Sequence, residues 1–196
     1  MEELTGWIDY DRPHLSRLGP GERLDYFERR VRFVAISPLG RLIETEIHVP
    51  ESSALLICGV SLCCAIEATG RFLCGGKGTR AHLFGAFLER YMSPKFKSKT
   101  VGNTTFGCYL WRHYRNGLAH GFTVAHGGFE GNRGQPYFVC KPIQGRDCLM
   151  VNPYRLYDDY SAGFSRYVLD LRSARCEDPL RVDFDDVFDQ VFIQGK

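Results

Sequence analysis

The chain has 196 residues, of which 44% are hydrophobic and 24% are charged, and its formal net charge is +2 at pH 7. This is the composition of an ordinary globular protein, and the length suffices for a single domain with a well-packed core. A net charge this close to zero neither indicates nor excludes a nucleic-acid partner, because a local basic face can lie within a near-neutral total.

The apolar stretches and the cysteines exclude further classes of protein. The longest apolar run, Ala54 to Ile66, is shorter than the ~18–20 residues that cross a bilayer, and the N-terminal residues lack the pattern of a signal peptide. We therefore expect a cytoplasmic protein with no membrane partner. In that compartment the eight cysteines indicate reduced thiols rather than disulfides. No C-x-x-C pair is present, so we expect no structural metal and no cofactor.

Three helices are predicted in the first half of the chain. Apolar residues at spacings of three and four predict a first helix over residues ~21–36, interrupted by Pro38 and Gly40. A buried helix is predicted from an N-cap at Ser52 or Ser53 to about Cys74, where Gly75, Gly76 and Gly78 end it. A third helix, ~79–92, is closed by Pro94; its apolar face comprises Leu83, Phe84, Phe87, Leu88 and Tyr91.

A fourth helix, ~104–120, carries two stripes. Phe106, Leu110, Tyr114 and Leu118 form an apolar stripe suited to the core. Arg112, Asn116 and His120 form a polar stripe about 200° away at 3.6 residues per turn. This polar stripe is therefore expected to face solvent or another subunit.

The second half of the chain predicts a small sheet followed by two helices. Three short β-prone runs, Phe122–Ala125, Tyr137–Lys141 and Cys148–Val151, lie between Gly-rich turns and predict a small antiparallel sheet. A fifth helix is predicted over ~153–173, and the apolar spacing of residues 183–192 predicts a short terminal helix. The positions of the fifth helix expected to face inward are Leu156, Tyr160, Phe164, Tyr167, Val168 and Leu171.

The most informative stretch is Arg115-Asn116-Gly117-Leu118-Ala119-His120, near the end of the fourth helix. It combines a permanent cation that can bind phosphate through two parallel hydrogen bonds, an amide, and an imidazole that exchanges protons near neutral pH. Cleavage of RNA by its own 2′-hydroxyl needs a base, an acid and a cation for the developing phosphorane charge. The stretch contains these groups without a metal.

The pattern of Arg, a polar residue, three further residues and His resembles the signature of the HEPN superfamily. The apolar helix that contains Glu67 and the segment from Phe84 to Tyr91 also look similar to HEPN helices, so that the resemblance covers residues 50–121 and, more loosely, 153–173. Arg41 and His48 fit the loose spacing as well, but Leu42 is not polar and a Val49-Pro50 break follows His48.

The resemblance implies a mainly α-helical, HEPN-like bundle of about five helices that forms a symmetric homodimer, with two motifs lining one cleft. Arg115 would hold the phosphate, Asn116 would orient His120 or the phosphate, and His120 would transfer protons. Arg112, His113, Glu67, Lys95 and Lys97 are expected to support the site or bind substrate. Because a carboxylate within an apolar helix needs a cationic partner, we expect Glu67 to contact Arg115 or Arg112.

Two functions remain open from the sequence. One is a metal-independent endoribonuclease that cuts single-stranded RNA, of a toxin or defence type, with an antitoxin or neighbouring protein as a further partner. The other is a non-catalytic module that binds RNA or protein, in which Arg115 pairs with Glu67 and His120 caps a helix end.

The whole chain, residues 1–196, is expected to form a single domain. Its parts are an N-terminal helical segment (1–49), a HEPN-like core (50–121), a small β insertion (122–152) and C-terminal helices (153–196).

Overall fold

The structure, a computed structural model, describes residues 12–46, 54–115, 127–131, 133–143 and 145–195. These residues are mainly helical and carry two small sheets. The α-helices are α1 (Arg12–Leu15), α2 (Pro20–Val31), α3 (Ser37–Glu46), α4 (Ala54–Leu73), α5 (Arg80–Tyr91), α6 (Lys95–Ser98), α7 (Phe106–Tyr109), α8 (Pro153–Ser173) and α9 (Pro179–Phe188). Three π-helical segments continue α2, α7 and α9: π1 (Arg32–Ile36), π2 (Leu110–Arg115) and π3 (Asp189–Ile193).

The centre of the fold is α4, which packs against α3, α5, α8 and α9. The apolar face predicted for α5 is buried throughout, and the inward positions predicted for α8 are buried as well. Aromatic rings fill much of this core; for example, the ring of Phe27 lies 4.5 Å from that of Phe72 and 5.2 Å from that of Phe184, measured between centroids. Hydrophobic periodicity therefore identified these helices and their buried faces correctly.

The ends of the central helices follow the signals in the sequence. Helix α4 ends at Leu73, and Gly75, Gly76 and Gly78 all have positive φ, which glycine adopts without steric cost. The Thr79 hydroxyl caps α5 by accepting a hydrogen bond from the His82 backbone N–H. The predicted N-cap of α4, Ser52 or Ser53, lies outside the described residues.

The first helix is longer than predicted. Pro38 and Gly40 do not interrupt it, because π1 continues α2 and α3 follows without a gap to Glu46. A proline lacks the backbone N–H and clashes with the preceding turn of an α-helix. Here the wider π-helical turn ends at Ile36, just before Ser37 and Pro38. The hydroxyl of Tyr157 donates a hydrogen bond to the Ile36 carbonyl at 3.1 Å, so that α8 supports this turn.

The fourth helix also differs from an ideal α-helix. It begins at Phe106, capped by the Thr105 hydroxyl, and becomes π-helical from Leu110 to Arg115. The predicted core residues Phe106, Leu110 and Tyr114 are buried, whereas Leu118, Asn116 and His120 lie outside the described residues. Angles based on 3.6 residues per turn do not hold here, because a π-helix has i→i+5 hydrogen bonds.

The β insertion is a mixed sheet rather than the antiparallel sheet predicted. Strand β5 (Arg146–Val151) pairs antiparallel with β4 (Phe138–Ile143) and parallel with β3 (Gly127–Phe129). Strand β3 was not predicted, since two of its three residues are glycines, and the predicted strand Phe122–Ala125 lies outside the described residues. The hairpin of β1 (Thr100–Val101) and β2 (Thr104–Thr105) was not predicted either.

One described helix segment, Leu55–Leu73 of α4, is long and apolar enough to cross a membrane by length and composition alone. The core helix of a soluble protein passes the same test, and 44% of this window is buried within the protein.

Candidate active site

Arg115 and Glu67 form an ion pair between the end of π2 and the middle of α4. The guanidinium Nε donates a hydrogen bond to Oε2 of the carboxylate. The side chain of Arg115 is 11% exposed and that of Glu67 is 15% exposed. This contact confirms the prediction that Glu67 pairs with an arginine of the motif helix. The carboxylate thus fixes the orientation of the guanidinium at the protein surface.

The sheet holds π2 in place at the residue before Arg115. The buried hydroxyl of Tyr114 accepts a hydrogen bond from the Gly128 N–H and donates toward the Gly128 carbonyl, both at 2.9 Å, and it contacts the Leu149 carbonyl as well. Phe129 of β3 packs on α4 at Gly59, where an added Cβ would lie 1.9 Å from the Phe129 ring. The β insertion therefore has a structural role, because it fixes Arg115 relative to α4.

A second arginine approaches Glu67 from α5. Helices α4 and α5 pack closely at Gly70, where an added Cβ would lie 1.9 Å from the carbonyl oxygen of Leu83. This close approach brings Arg80, the first residue of α5, to Glu67, with Nε 3.8 Å from Oε1. The side chain of Arg80 is 68% exposed, so its guanidinium remains open to solvent.

These residues line a cleft of about 400 Å³, which we call the basic cleft. Its described lining residues are Cys64, Glu67, Ala68, Arg71, Arg80, Leu83 and Arg115. Among these described lining residues, three guanidinium groups accompany one carboxylate, an excess of two positive charges. Arginine side chains bind phosphate with parallel hydrogen bonds. The arrangement is therefore suited to a phosphate group.

The thiol of Cys64 lies on the wall of the basic cleft. Burial raises its pKa above the ordinary value, the Arg115 charge opposes this shift, and the Glu67 charge adds to it. These causes show that Cys64 is within electrostatic reach of the ion pair. All eight cysteine thiols are free in the structure.

The other predicted site residues do not gather at the cleft. Arg112 is exposed on π2, and the His113 ring lies against Tyr109 with centroids 4.4 Å apart. Lys95 and Lys97 lie on α6, which follows the C-terminal end of α5. Arg80 lies at the N-terminal end of α5, and α5 itself spans about 16 Å. The ammonium of Lys97 pairs with Glu89 at 3.9 Å.

Two lining residues, Arg71 and Arg80, were not identified from the sequence. A signal existed for Arg71, because it follows Glu67 by four residues on one helix and such residues share a face. Local pattern gives no such signal for Arg80, since its position depends on the packing of α5 against α4.

The described part of the chain contains no group of three or more His, Cys, Asp or Glu side chains placed to hold a metal ion. The motif residues Asn116 and His120 lie outside the described residues. Comparisons with protein-family models, with curated proteins and with solved structures gave no match to this chain.

Proposed function

We propose that the protein is a metal-independent endoribonuclease of the HEPN type that cuts single-stranded RNA in the cytoplasm, in a toxin or defence role. The observation that carries the proposal is the Arg115–Glu67 pair on the wall of the basic cleft. An arginine oriented by a carboxylate is a preorganised donor for the negative charge that develops on the phosphorane oxygens during cleavage.

In this proposal the 2′-oxygen of the nucleotide attacks the adjacent phosphorus, and the bond to the 5′-oxygen breaks. His120 exchanges the protons of the entering and leaving oxygens. Arg115 stabilises the phosphorane charge, and Asn116 orients His120 or the phosphate. The products are a 2′,3′-cyclic phosphate and a 5′-hydroxyl, and no metal ion takes part.

The proposal includes a homodimer in which two motifs line one cleft, and an antitoxin or neighbouring protein as a regulatory partner. Exposed Arg112 lies on the face of π2 assigned to the second subunit. Light scattering at micromolar concentration should give twice the chain mass of 22.3 kDa, and the mass of a single chain would contradict the dimer.

The activity is tested with a single-stranded RNA in the presence of EDTA. Wild-type protein should cut it, and a single 2′-deoxynucleotide should block cleavage at its own position, since the attacking group is absent. His120→Ala should be folded and inactive, whereas His14→Ala, which changes an exposed histidine on α1, should retain activity. Inactive wild-type protein on a broad set of RNAs would overturn the proposal.

A second candidate is a non-catalytic RNA-binding module. The specific observation in its favour is the low exposure of Arg115, 11%, in a close pair with Glu67, as expected of a structural arginine. In this case RNA binds the basic cleft without cleavage, and His120→Ala leaves RNA binding unchanged.

A further inference from the structure

We infer that Arg71 and Arg80 form a phosphate-binding subsite that holds the RNA strand beside the phosphate bound at Arg115. The inference rests on the proposed function for its substrate class, RNA, but not on cleavage. It assigns a role to two residues that lie outside the Arg–polar–His motif.

The charges around Glu67 are unbalanced. Its Oε2 accepts the hydrogen bond from Arg115, and its Oε1 lies 3.8 Å from Arg80. Arg71 instead contacts a neutral amide, with its guanidinium 3.5 Å from Oε1 of Gln190. One carboxylate cannot neutralise three guanidinium groups, so the unbalanced positive charge lies on the side of Arg71 and Arg80.

Arg80 and Arg115 also differ in the exposure of their side chains. The side chain of Arg80 is 68% exposed, against 11% for Arg115. An incoming strand therefore meets Arg80 before Arg115. Arg80 therefore recruits the phosphate backbone, and Arg115 stabilises the reacting phosphate.

The wall between the cations also has a shape and rigidity that suit a phosphate. Ala68 and Leu83 line the cleft beside the arginines, and the small side chain of Ala68 leaves room for a phosphate. Apolar walls reduce the local dielectric constant and strengthen the attraction of guanidinium for phosphate. Because α4 and α5 are locked together at Gly70, the two cations are held on rigid elements, as a preorganised site requires.

The experiment measures binding of a fluorescent single-stranded RNA octamer by anisotropy over a series of salt concentrations. Arg71→Gln and Arg80→Gln should each weaken binding about tenfold at low salt, as expected for loss of a charge-assisted hydrogen bond. Each should also reduce the slope of log K against log salt by about 0.7, the value for one phosphate contact on a single strand. The matched control is Arg155→Gln, which removes an exposed arginine of α8 and should have neither effect.

Further arms separate a subsite from a purely structural role. The double variant Arg71→Lys/Arg80→Lys retains both charges and should recover most of the salt slope. If the protein cleaves RNA, the glutamine variants should raise KM and leave kcat unchanged, whereas Arg115→Gln should lower kcat. Thermal unfolding of each variant confirms that folded protein is compared.

The outcomes distinguish this inference from the proposed function. RNA binding that depends on Arg71 and Arg80 without any cleavage supports the subsite and overturns the nuclease. Wild-type binding whose salt slope is unchanged in both glutamine variants overturns the subsite, whether or not RNA is cut. Binding of inorganic phosphate, measured by calorimetry, without RNA binding also overturns it, because the site would then take the free anion rather than a strand.

Discussion

Two cavities adjoin α4, and they differ more in chemistry than in size. The larger, about 600 Å³, lies among α2, π1, α3, α4 and π3, and we call it the apolar cavity. Its described lining is mostly hydrophobic, including Val34, Leu39 and Phe72, with Arg30 as its charged member. The basic cleft is smaller, about 400 Å³, yet four of its seven described lining residues are charged. Cys64 and Ala68 line both.

The larger cavity beside α4 is therefore not the one that gathers the charged side chains. A large apolar cavity is the usual first hypothesis for a ligand site. Charged side chains near a protein interior cost free energy unless they are paired or used. Four charged side chains gathered around one small cleft, of which Arg115 and Glu67 are little exposed, are therefore the stronger indication of function. The following predictions test this contrast between the cavities.

The largest effect is expected from Glu67→Gln in the basic cleft. It leaves the little-exposed Arg115 without its counter-charge, and breaking such a pair costs about 3–5 kcal/mol. Urea denaturation measures the free energy of unfolding. The control is Glu89→Gln, whose pair with Lys97 is solvent-exposed and should contribute less than about 1 kcal/mol. Equal losses in the two variants would contradict the assigned pair.

A slightly smaller effect is expected from Leu39→Ala in the apolar cavity. Leu39 is 5% exposed, and truncation of a buried leucine costs about 2–5 kcal/mol. Because Leu39 already borders a cavity, the loss of stability should lie near the lower end of this range. RNA affinity of the folded variant should equal that of the wild type. A loss of RNA affinity as large as that of Arg80→Gln would mean that the two cavities do not differ in role.

Tyr114→Phe tests whether the sheet positions the basic cleft. The substitution removes the hydroxyl that bonds to Gly128 and contacts Leu149, and buried polar groups left without a partner cost about 1–3 kcal/mol. Tyr26→Phe is the control, because the Tyr26 ring packs edge-on against Phe188 and Phe192 at the other end of the fold, and it should change stability by less than about 0.5 kcal/mol. If Tyr26→Phe cost as much, the hydroxyl bonds to the sheet would not explain the loss.

The smallest effect concerns the thiol on the wall shared by the two cavities. The pKa of Cys64 is raised by burial and by Glu67, and Arg115 opposes the shift. Glu67→Gln should therefore lower this pKa and speed alkylation at a given pH, since the thiolate is the nucleophile. Arg115→Gln should raise the pKa and slow alkylation. The rate at Cys64 is followed against pH by peptide mass spectrometry. Acceleration in both variants would indicate local unfolding rather than electrostatics.

The long helices could be predicted from sequence because their signals are local. Apolar residues recur at helical spacing in α5 and α8, and glycines and prolines mark where the helices end. The mixed sheet could not be predicted in the same way. Its parallel pair joins β3 to β5, which β4 separates in the sequence but not in the sheet, and a strand with two glycines carries little hydrophobic pattern.

The candidate site was predictable only in part, for a similar reason. The general rule that a carboxylate in an apolar helix needs a cation predicted that Glu67 contacts Arg115 or Arg112, and the structure shows Arg115. The position of Arg80 depends on how closely α5 approaches Gly70, and the π-helical turn at Leu110–Arg115 alters the directions expected from an ideal helix. Long-range packing sets both features, and neither leaves a local pattern.

The most direct test of the central claim, that RNA binds the basic cleft rather than the apolar cavity, is photocrosslinking of a single-stranded RNA containing 4-thiouridine, followed by peptide mass spectrometry. The account predicts crosslinks in peptides that contain Arg71, Leu83 or Arg115. Arg71→Gln/Arg80→Gln should lose these crosslinks, and Leu39→Ala should retain them. Crosslinks confined to residues 30–42 and 191–192, around the apolar cavity, would contradict the account.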